Sequence, residues 1–370
     1  MAKTTWHKEL LCCCLVFLAQ RVLSLAISSN IEKKTPSVTV SGLSGGAFFA
    51  VQFHVANSQL ISGAGILAGG PYFCSEGSLL IAEGRCMRLP QDIPVNRLIH
   101  FTEQTYKTTR TIDAPSHLMD DRIWLLSSTS DTVVAVGVVE ALREYYSHFL
   151  RDADSQIRAV FNQSGEHAFL TLTEGSECLY KGEPYINACN YDAAGAMLQH
   201  LYNDSLTPPP IDAPADGLER GELIHFPQAD FLEVGWTLYE AALDELGYVY
   251  IPMACANGSI PSCQLHISFH GCEQTIHDIG EQYMLNTGIG RWAGENNLVV
   301  LFPQARRTAL NPKGCWDWWG YTGIDYASQL GIQMATVKRM AMSFKMPDEI
   351  ADLYNKNKNI MHSLANSDSI

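Results

Sequence analysis

The sequence predicts an α/β fold with a mostly parallel central sheet flanked by helices, and three observations carry that prediction. From Pro36 onwards short β-branched or apolar runs alternate with longer helix-like stretches, the pattern of strands joined by crossover helices. One such run, Ser37-Val38-Thr39-Val40, leads through Gly42-Leu43-Ser44-Gly45-Gly46 into a helical stretch, Ala47 to Ala56. Hydrophobic residues make up 46% of the 370 residues and charged ones only 17%, enough to bury a large core.

At the N-terminus, Lys3 and Lys8 precede an apolar run from Leu10 to Ala19, and small residues close at Ser24-Leu25-Ala26. That order reads as a secretory signal peptide over residues 1–26, its apolar core too short to span a bilayer. A lipoprotein anchor at Cys12, Cys13 or Cys14 is the competing reading, opposed by the bulky residues before them. No later stretch is long and apolar enough for a membrane span. The mature chain is therefore expected to be secreted, extracellular or periplasmic, with no membrane association. It divides into one catalytic domain over 27–345 and a polar C-terminal tail over 346–370, expected to fray.

Within the domain, Ile61 to Leu67 and Arg122 to Leu126 read as the second and third strands. Asp131 and a helix from about Val133 to Leu150 follow. Ile157 to Phe161 is a fourth strand, running into Gly165-Glu166-His167, and Asn190-Tyr191-Asp192 opens a helix through Tyr202. A Pro-rich connection near 205–222 comes next, then strands near Tyr248 to Ile251, Gln264 to Phe269 and Leu298 to Phe302. An amphipathic helix closes the domain, from Ile332 to Phe344.

Eleven cysteines are present, three of them in the leader. Eight remain, an even number in an exported chain, which implies bridges. Eight cysteines allow about 105 pairings. Proximity in sequence suggests Cys74–Cys86, Cys178–Cys189 and Cys255–Cys263, leaving Cys272–Cys315 as a longer link. With no Cys-x-x-Cys pair or compact Cys/His cluster after the leader, no metal is expected. The net charge of −14 argues against a nucleic-acid partner and suits an uncharged substrate.

The chemistry centres on Ser44. Strand, G-x-S-x-G and helix form the context of a nucleophile elbow, in which glycines let the chain turn sharply and expose the serine. The competing reading is a glycine-rich turn with Ser44 as a helix cap. In α/β-hydrolases the order is nucleophile, acid, histidine, each after a successive strand. Asp131 and His167 occupy those places, the acid orienting the imidazole and the imidazole taking the serine proton. Asp131 as a helix cap and His167 as a surface histidine are the plainer readings. Asp120 and Asp121 are rival acids, His270 is the rival base, and His54 is expected to pack on its helix. Gly45 offers one oxyanion N–H. The usual second donor loop, His-Gly-containing, appears as His270-Gly271-Cys272, after the nucleophile instead of before it. If the strands after the Pro-rich segment are the first four of the hydrolase sheet, the fold is circularly permuted.

These motifs resemble the secreted poly(3-hydroxybutyrate) depolymerases of the single-domain, circularly permuted α/β-hydrolase type. The matching residues are Ser41 to Ala47, Cys178 with Pro184 to Asp192, His270-Gly271-Cys272, and the tryptophan-rich Asn311 to Tyr321. The resemblance implies a Ser44, Asp131, His167 triad, an oxyanion hole from the N–H groups of Gly45 and Cys272, and a Cys272–Cys315 bridge tying that hole to the tryptophan segment. Ser127 to Asp131 matches the family loosely, and Asp204 to Tyr239 has no clear counterpart. No separate polymer-binding domain is expected after the catalytic one, so adsorption would fall to the catalytic surface. One of Trp316, Trp318 and Trp319 is expected to line the acyl cleft with Tyr321 nearby, core packing being the alternative.

The expected function is hydrolysis of polyester or oligoester bonds through an acyl-enzyme on Ser44, by a monomer needing no cofactor. The alternatives are a carbohydrate esterase of the feruloyl or acetylxylan type, a broad short-chain carboxylesterase, and a non-catalytic binding protein on a hydrolase scaffold.

Overall fold

The computed structural model describes residues 38–260 and 263–367, with side chains through Lys358. The leader over 1–26 and the anchor reading at Cys12 to Cys14 lie outside the described residues.

Eight strands form the main sheet: β1 (Val38–Leu43), β2 (Gly63–Leu67), β3 (Arg122–Leu126), β4 (Ile157–Val160), β8 (Gly221–Pro227), β9 (Leu246–Pro252), β10 (Gln264–Phe269) and β11 (Leu298–Phe302). Their spatial order is β8-β9-β11-β10-β1-β2-β3-β4. Every pairing from β11 to β4 is parallel, and β9 alone runs antiparallel to both its neighbours. Numbered from β8, the strands that follow the Pro-rich connection fill places 1, 2, 4 and 3, and β1 to β4 fill places 5 to 8. This is the α/β-hydrolase sheet with the chain entering halfway along it.

The central strands are buried on both faces; β11 accordingly reads as a continuous apolar run, whereas β1 and β10 alternate apolar with buried polar residues. Side chains still alternate between two cores. Val299 and Leu301 join one, with α1 (Gly45–Ala56), α2 (Val95–Thr108), α3 (Val136–Phe149) and α6 (Ile332–Phe344). Leu298, Val300 and Phe302 join the other, with α4 (Ala193–Leu201) and α5 (Ile289–Asn296). Helix α1 is buried at every position, which is why its sequence is apolar on every face apart from Gln52 and His54, both of which are hydrogen-bonded.

A small sheet of β5 (Phe169–Thr171), β6 (Ser176–Glu177) and β7 (Ile186–Ala188) follows His167, beside the Cys178–Cys189 bridge. Cys74–Cys86, Cys255–Cys263 and Cys272–Cys315 are also bridged. The C-terminal tail departs from expectation. After α6 (Ile332–Phe344) it forms a helix, α7 (Pro347–Ser367), not a frayed end. Ile350 and Tyr354, four apart on one face, are buried against the first core, and the Tyr354 hydroxyl donates to Glu222 on β8 at 2.8 Å. Among the described residues, no helix is long and apolar enough to cross a membrane, and no cluster of His, Cys, Asp or Glu could hold a metal ion.

Between β1 and β10 lies a buried polar layer. His266, fully buried, meets Thr39 through Nδ1 and Ser41 through Nε2, both at 2.8 Å, and the Tyr202 hydroxyl lies 2.9 Å from Thr39. Burial pushes the pKa of His266 down to about 3 and that of His270 down to about 4. In the unfolded chain both protonate near pH ~6.5. Below that pH the unfolded state binds more protons than the folded one, so stability falls as the pH drops. The loss approaches about 1.4 kcal/mol per pH unit for each histidine until its folded value is reached. Urea midpoints measured between about pH 6.5 and 5, above most carboxylate titrations, are expected to fall steadily. A flat profile would contradict the buried neutral histidines.

Candidate active site

Ser44 stands at the junction of β1 and α1 with φ 55° and ψ −122°, a backbone conformation that non-glycine residues rarely adopt. Its own N–H donates to Leu67 O at 2.9 Å, and its carbonyl accepts from Phe48 N at 3.0 Å. The turn is this tight because its neighbours lack side chains. A Cβ on Gly42 would lie 2.4 Å from the Gly46 carbonyl, and one on Gly46 would lie 2.3 Å from the carbonyl oxygens of Phe269 and His270. Glycine is therefore required by close backbone approach at both positions.

The strand ends that follow β1, β3 and β4 lie on one edge of the parallel sheet, and they carry Ser44, Asp131 and His167 in turn. Asp131 and His167 meet: Nδ1 of the imidazole lies 2.8 Å from Oδ2 of the carboxylate, and both side chains are buried. The second oxygen, Oδ1, accepts from the N–H groups of Val133 and Val134 at 2.8 and 2.9 Å. Asp131 thus closes the turn ahead of α3 and faces the histidine as well; the helix N-cap itself is Ala135, so Asp131 is not the helix cap. An ionised carboxylate only accepts, which assigns the proton to Nδ1 and leaves the Nε2 lone pair free. The Ser44 hydroxyl has no hydrogen-bond partner among the described residues.

The rivals are otherwise occupied. Asp120 is exposed and pairs with Arg151. Asp121 precedes β3 and meets Nε2 of buried His54 at 3.1 Å, while Nδ1 of His54 meets the Tyr146 hydroxyl. His270 donates from Nδ1 to Gly271 O at 2.8 Å and accepts at Nε2 from Ala305 N at 3.1 Å. With both nitrogens engaged and the ring fully buried, it has no lone pair to offer.

Cys272 lies directly against the elbow, since a Cβ on Gly45 would sit 2.8 Å from its Sγ. The N–H groups of Gly45 and Cys272 carry no hydrogen bond among the described residues. Gln274 shapes this turn: its Oε1 accepts from Gly271 N at 2.6 Å, and its Nε2 donates to Pro184 O at 2.7 Å. The Cys272–Cys315 bridge joins the turn to the tryptophan segment.

That segment divides its aromatics. Trp316 is 0% exposed, packed on Phe49 and Phe269, and so cannot line a cleft as expected. Tyr321 is half-buried beside Trp319, ring centroids 4.9 Å apart. Its hydroxyl turns inward, donating to Cys315 O at 2.7 Å and meeting Asn311 and Gln333, and burial raises its pKa. Trp318 stacks on Phe48, its ring centroid 4.0 Å away, and its Nε1 lies 3.5 Å from the Cβ position of Gly45, without a hydrogen-bond partner. Trp319 stands edge-on to Trp318.

Sequence reasoning missed the residues that hold these pieces. Asp317 accepts from the N–H groups of Trp319, Gly320, Tyr321 and Thr322 and from the Thr322 hydroxyl, folding the tryptophan loop around one carboxylate. Burial raises its pKa, against the opposing pull of the donors from Thr322, Gly320 and Tyr321. Tyr185 stands edge-on to His167, centroids 6.2 Å apart, and donates to Glu273 Oε2 at 2.9 Å. Burial and that carboxylate push its phenol pKa up. Only its place in the Pro184 to Asp192 motif hinted at it.

Sheet order, permuted connectivity and a serine elbow at the strand edge define an α/β-hydrolase. No family model matches the chain. It is 43% identical over 304 residues to a poly(3-hydroxybutyrate) depolymerase of Delftia acidovorans, covering 82% of this chain and 58% of that relative's length. It is 32% identical over 320 residues to a polyhydroxybutyrate depolymerase of Talaromyces funiculosus, covering 81% of this chain and 87% of the relative. The crystal structure of PHB depolymerase from Penicillium funiculosum superposes with a TM-score of 0.73 at 29% identity, covering 85% of this chain and 96% of that one. A serine-to-alanine PHB depolymerase complexed with an R3HB trimer matches equally well, at 30% identity. The chain belongs to the polyhydroxybutyrate depolymerase family.

Proposed function

We propose that the protein is an exported serine esterase that hydrolyses poly(3-hydroxybutyrate) or related polyhydroxyalkanoates to monomers and short oligomers. The observation that carries this reading is the Asp131–His167 pair on the same sheet edge as the Ser44 elbow. The Ser44 hydroxyl attacks the ester carbonyl, and its proton passes to Nε2 of His167. The developing oxyanion lies between the N–H groups of Gly45 and Cys272. His167 returns the proton to the leaving alkoxide. Water then releases the acyl group as a hydroxyalkanoate acid and restores Ser44. Trp318, stacked on Phe48 beside Gly45 and 6% exposed, gives the elbow an apolar neighbour suited to a methyl-bearing polyester. The four bridges fit export, and the net charge of −14 suits an uncharged substrate.

The test is clearing of an amorphous poly(3-hydroxybutyrate) suspension, run beside acetylated and feruloylated xylan and a short p-nitrophenyl ester. Clearing with release of 3-hydroxybutyrate is expected. Turnover of the short ester without clearing would keep the esterase and discard the polyester substrate. Activity confined to xylan esters would move the protein to the carbohydrate esterases.

A further inference from the structure

We infer that Glu166 is a positioning residue: its carboxylate locks the Asp131 turn to the His167 loop and so holds the Asp131–His167 pair in register. The inference rests on the triad reading above. Glu166 is 7% exposed, so its charge has been taken largely out of water and needs donors close by. It has them from both loops. Oε1 accepts from Thr132 N at 2.7 Å and from His167 N at 2.9 Å, and both oxygens lie 3.1 Å from the Thr132 hydroxyl. One carboxylate therefore grips the backbone next to Asp131 and that of His167 itself.

Its surroundings point the same way. The two loops are also joined by Thr129 N to Gln163 O, Ser130 N to Gly165 O and the Ser128 hydroxyl to Glu166 O. The last two of these run at 3.2 and 3.3 Å, longer than the bonds that the Glu166 side chain makes. They end before Asp131, so past Ser130 the Glu166 side chain continues the join up to the catalytic-edge residues. Lys181 Nζ reaches the Thr132 hydroxyl at 2.8 Å from the next loop and completes the cluster. Without Glu166, the buried N–H of His167 loses its acceptor, which favours rearrangement to regain one, and exposed Thr132 loses its tie to the His167 loop. A shift of about 1 Å between acid and base costs on the order of 10²-fold in turnover.

The test compares Glu166→Ala and Glu166→Gln on a soluble p-nitrophenyl ester, with concentrations set by organophosphonate titration, together with the low-field proton resonance of the His167 Nδ1–H. Glu166→Ala is expected to lower kcat about 10²-fold with KM changed less than about threefold, and to broaden that resonance away. Glu166→Gln keeps an acceptor oxygen for both N–H groups, so it is expected to stay within about tenfold of the parent and to keep the resonance. Full kcat in Glu166→Ala would overturn the inference, as would equal losses in both variants with the resonance intact. A loss traced entirely to unfolded protein, the titratable fraction turning over normally, would overturn it too. Ser44→Ala is run alongside: activity surviving there defeats the triad reading itself, whatever Glu166 does.

Discussion

Ser44→Ala is expected to lower kcat on a soluble ester by about 10⁶-fold while leaving the folded state intact. The elbow is built by the missing side chains of Gly42 and Gly46 and by backbone bonds of residue 44, none of which involve the hydroxyl. Alanine has the same Cβ at φ 55° as serine and breaks no hydrogen bond, so the urea midpoint is expected to move by less than about 0.5 kcal/mol in stability. Organophosphonate labelling should disappear with activity. Turnover within tenfold of the parent would remove Ser44 from the chemistry and favour the reading of a non-catalytic binding protein.

Asp131→Asn is expected to lower kcat by about 10⁴-fold with little change in stability. Asparagine can still accept through its Oδ1 from Val133 and Val134, so the turn before α3 survives. What changes is the face toward His167. An amide N–H there favours the tautomer with the proton on Nε2, which has no lone pair for the serine proton, and the neutral amide does not stabilise an imidazolium. The measurement is kcat beside the urea midpoint, with Asp121→Asn as a comparison, since Asp121 faces His54 instead. Undiminished kcat in Asp131→Asn would leave His167 without its acid and sink the triad reading.

Much of the fold was legible because local pattern and tertiary role coincide. Arg122–Leu126, Gln264–Phe269, Leu298–Phe302 and Ile332–Phe344 stand at the bounds their apolar runs and helical period suggest. Strand β8 was not legible. It sits at the sheet edge, where Glu222, His225 and Pro227 interrupt the apolar run, and only its pairing with β9 makes it a strand. The helix at 347–367 escaped for a related reason: its polar composition hides the few positions, Ile350 and Tyr354, that pack.

The candidate site divides along the same line. Ser44 was legible because a turn this tight writes itself as glycines at fixed spacing, and Asp131 and His167 because each follows a strand. The displaced His270-Gly271-Cys272 turn announced the permutation, since chain order is read directly from sequence. Which histidine keeps a free nitrogen was decided by tertiary contacts: His270 and His167 differ only in what the fold brings to their rings. So was the sorting of Trp316 into the core and Trp318 against Gly45, and so was Glu166, whose partners come from another loop. Sequence by itself determined the elements, their order and the residue types at the strand ends, because those follow from local sterics and periodic burial. Only the folded chain decided which side chains meet, because hydrogen bonds and ring packing depend on distances between segments far apart in sequence.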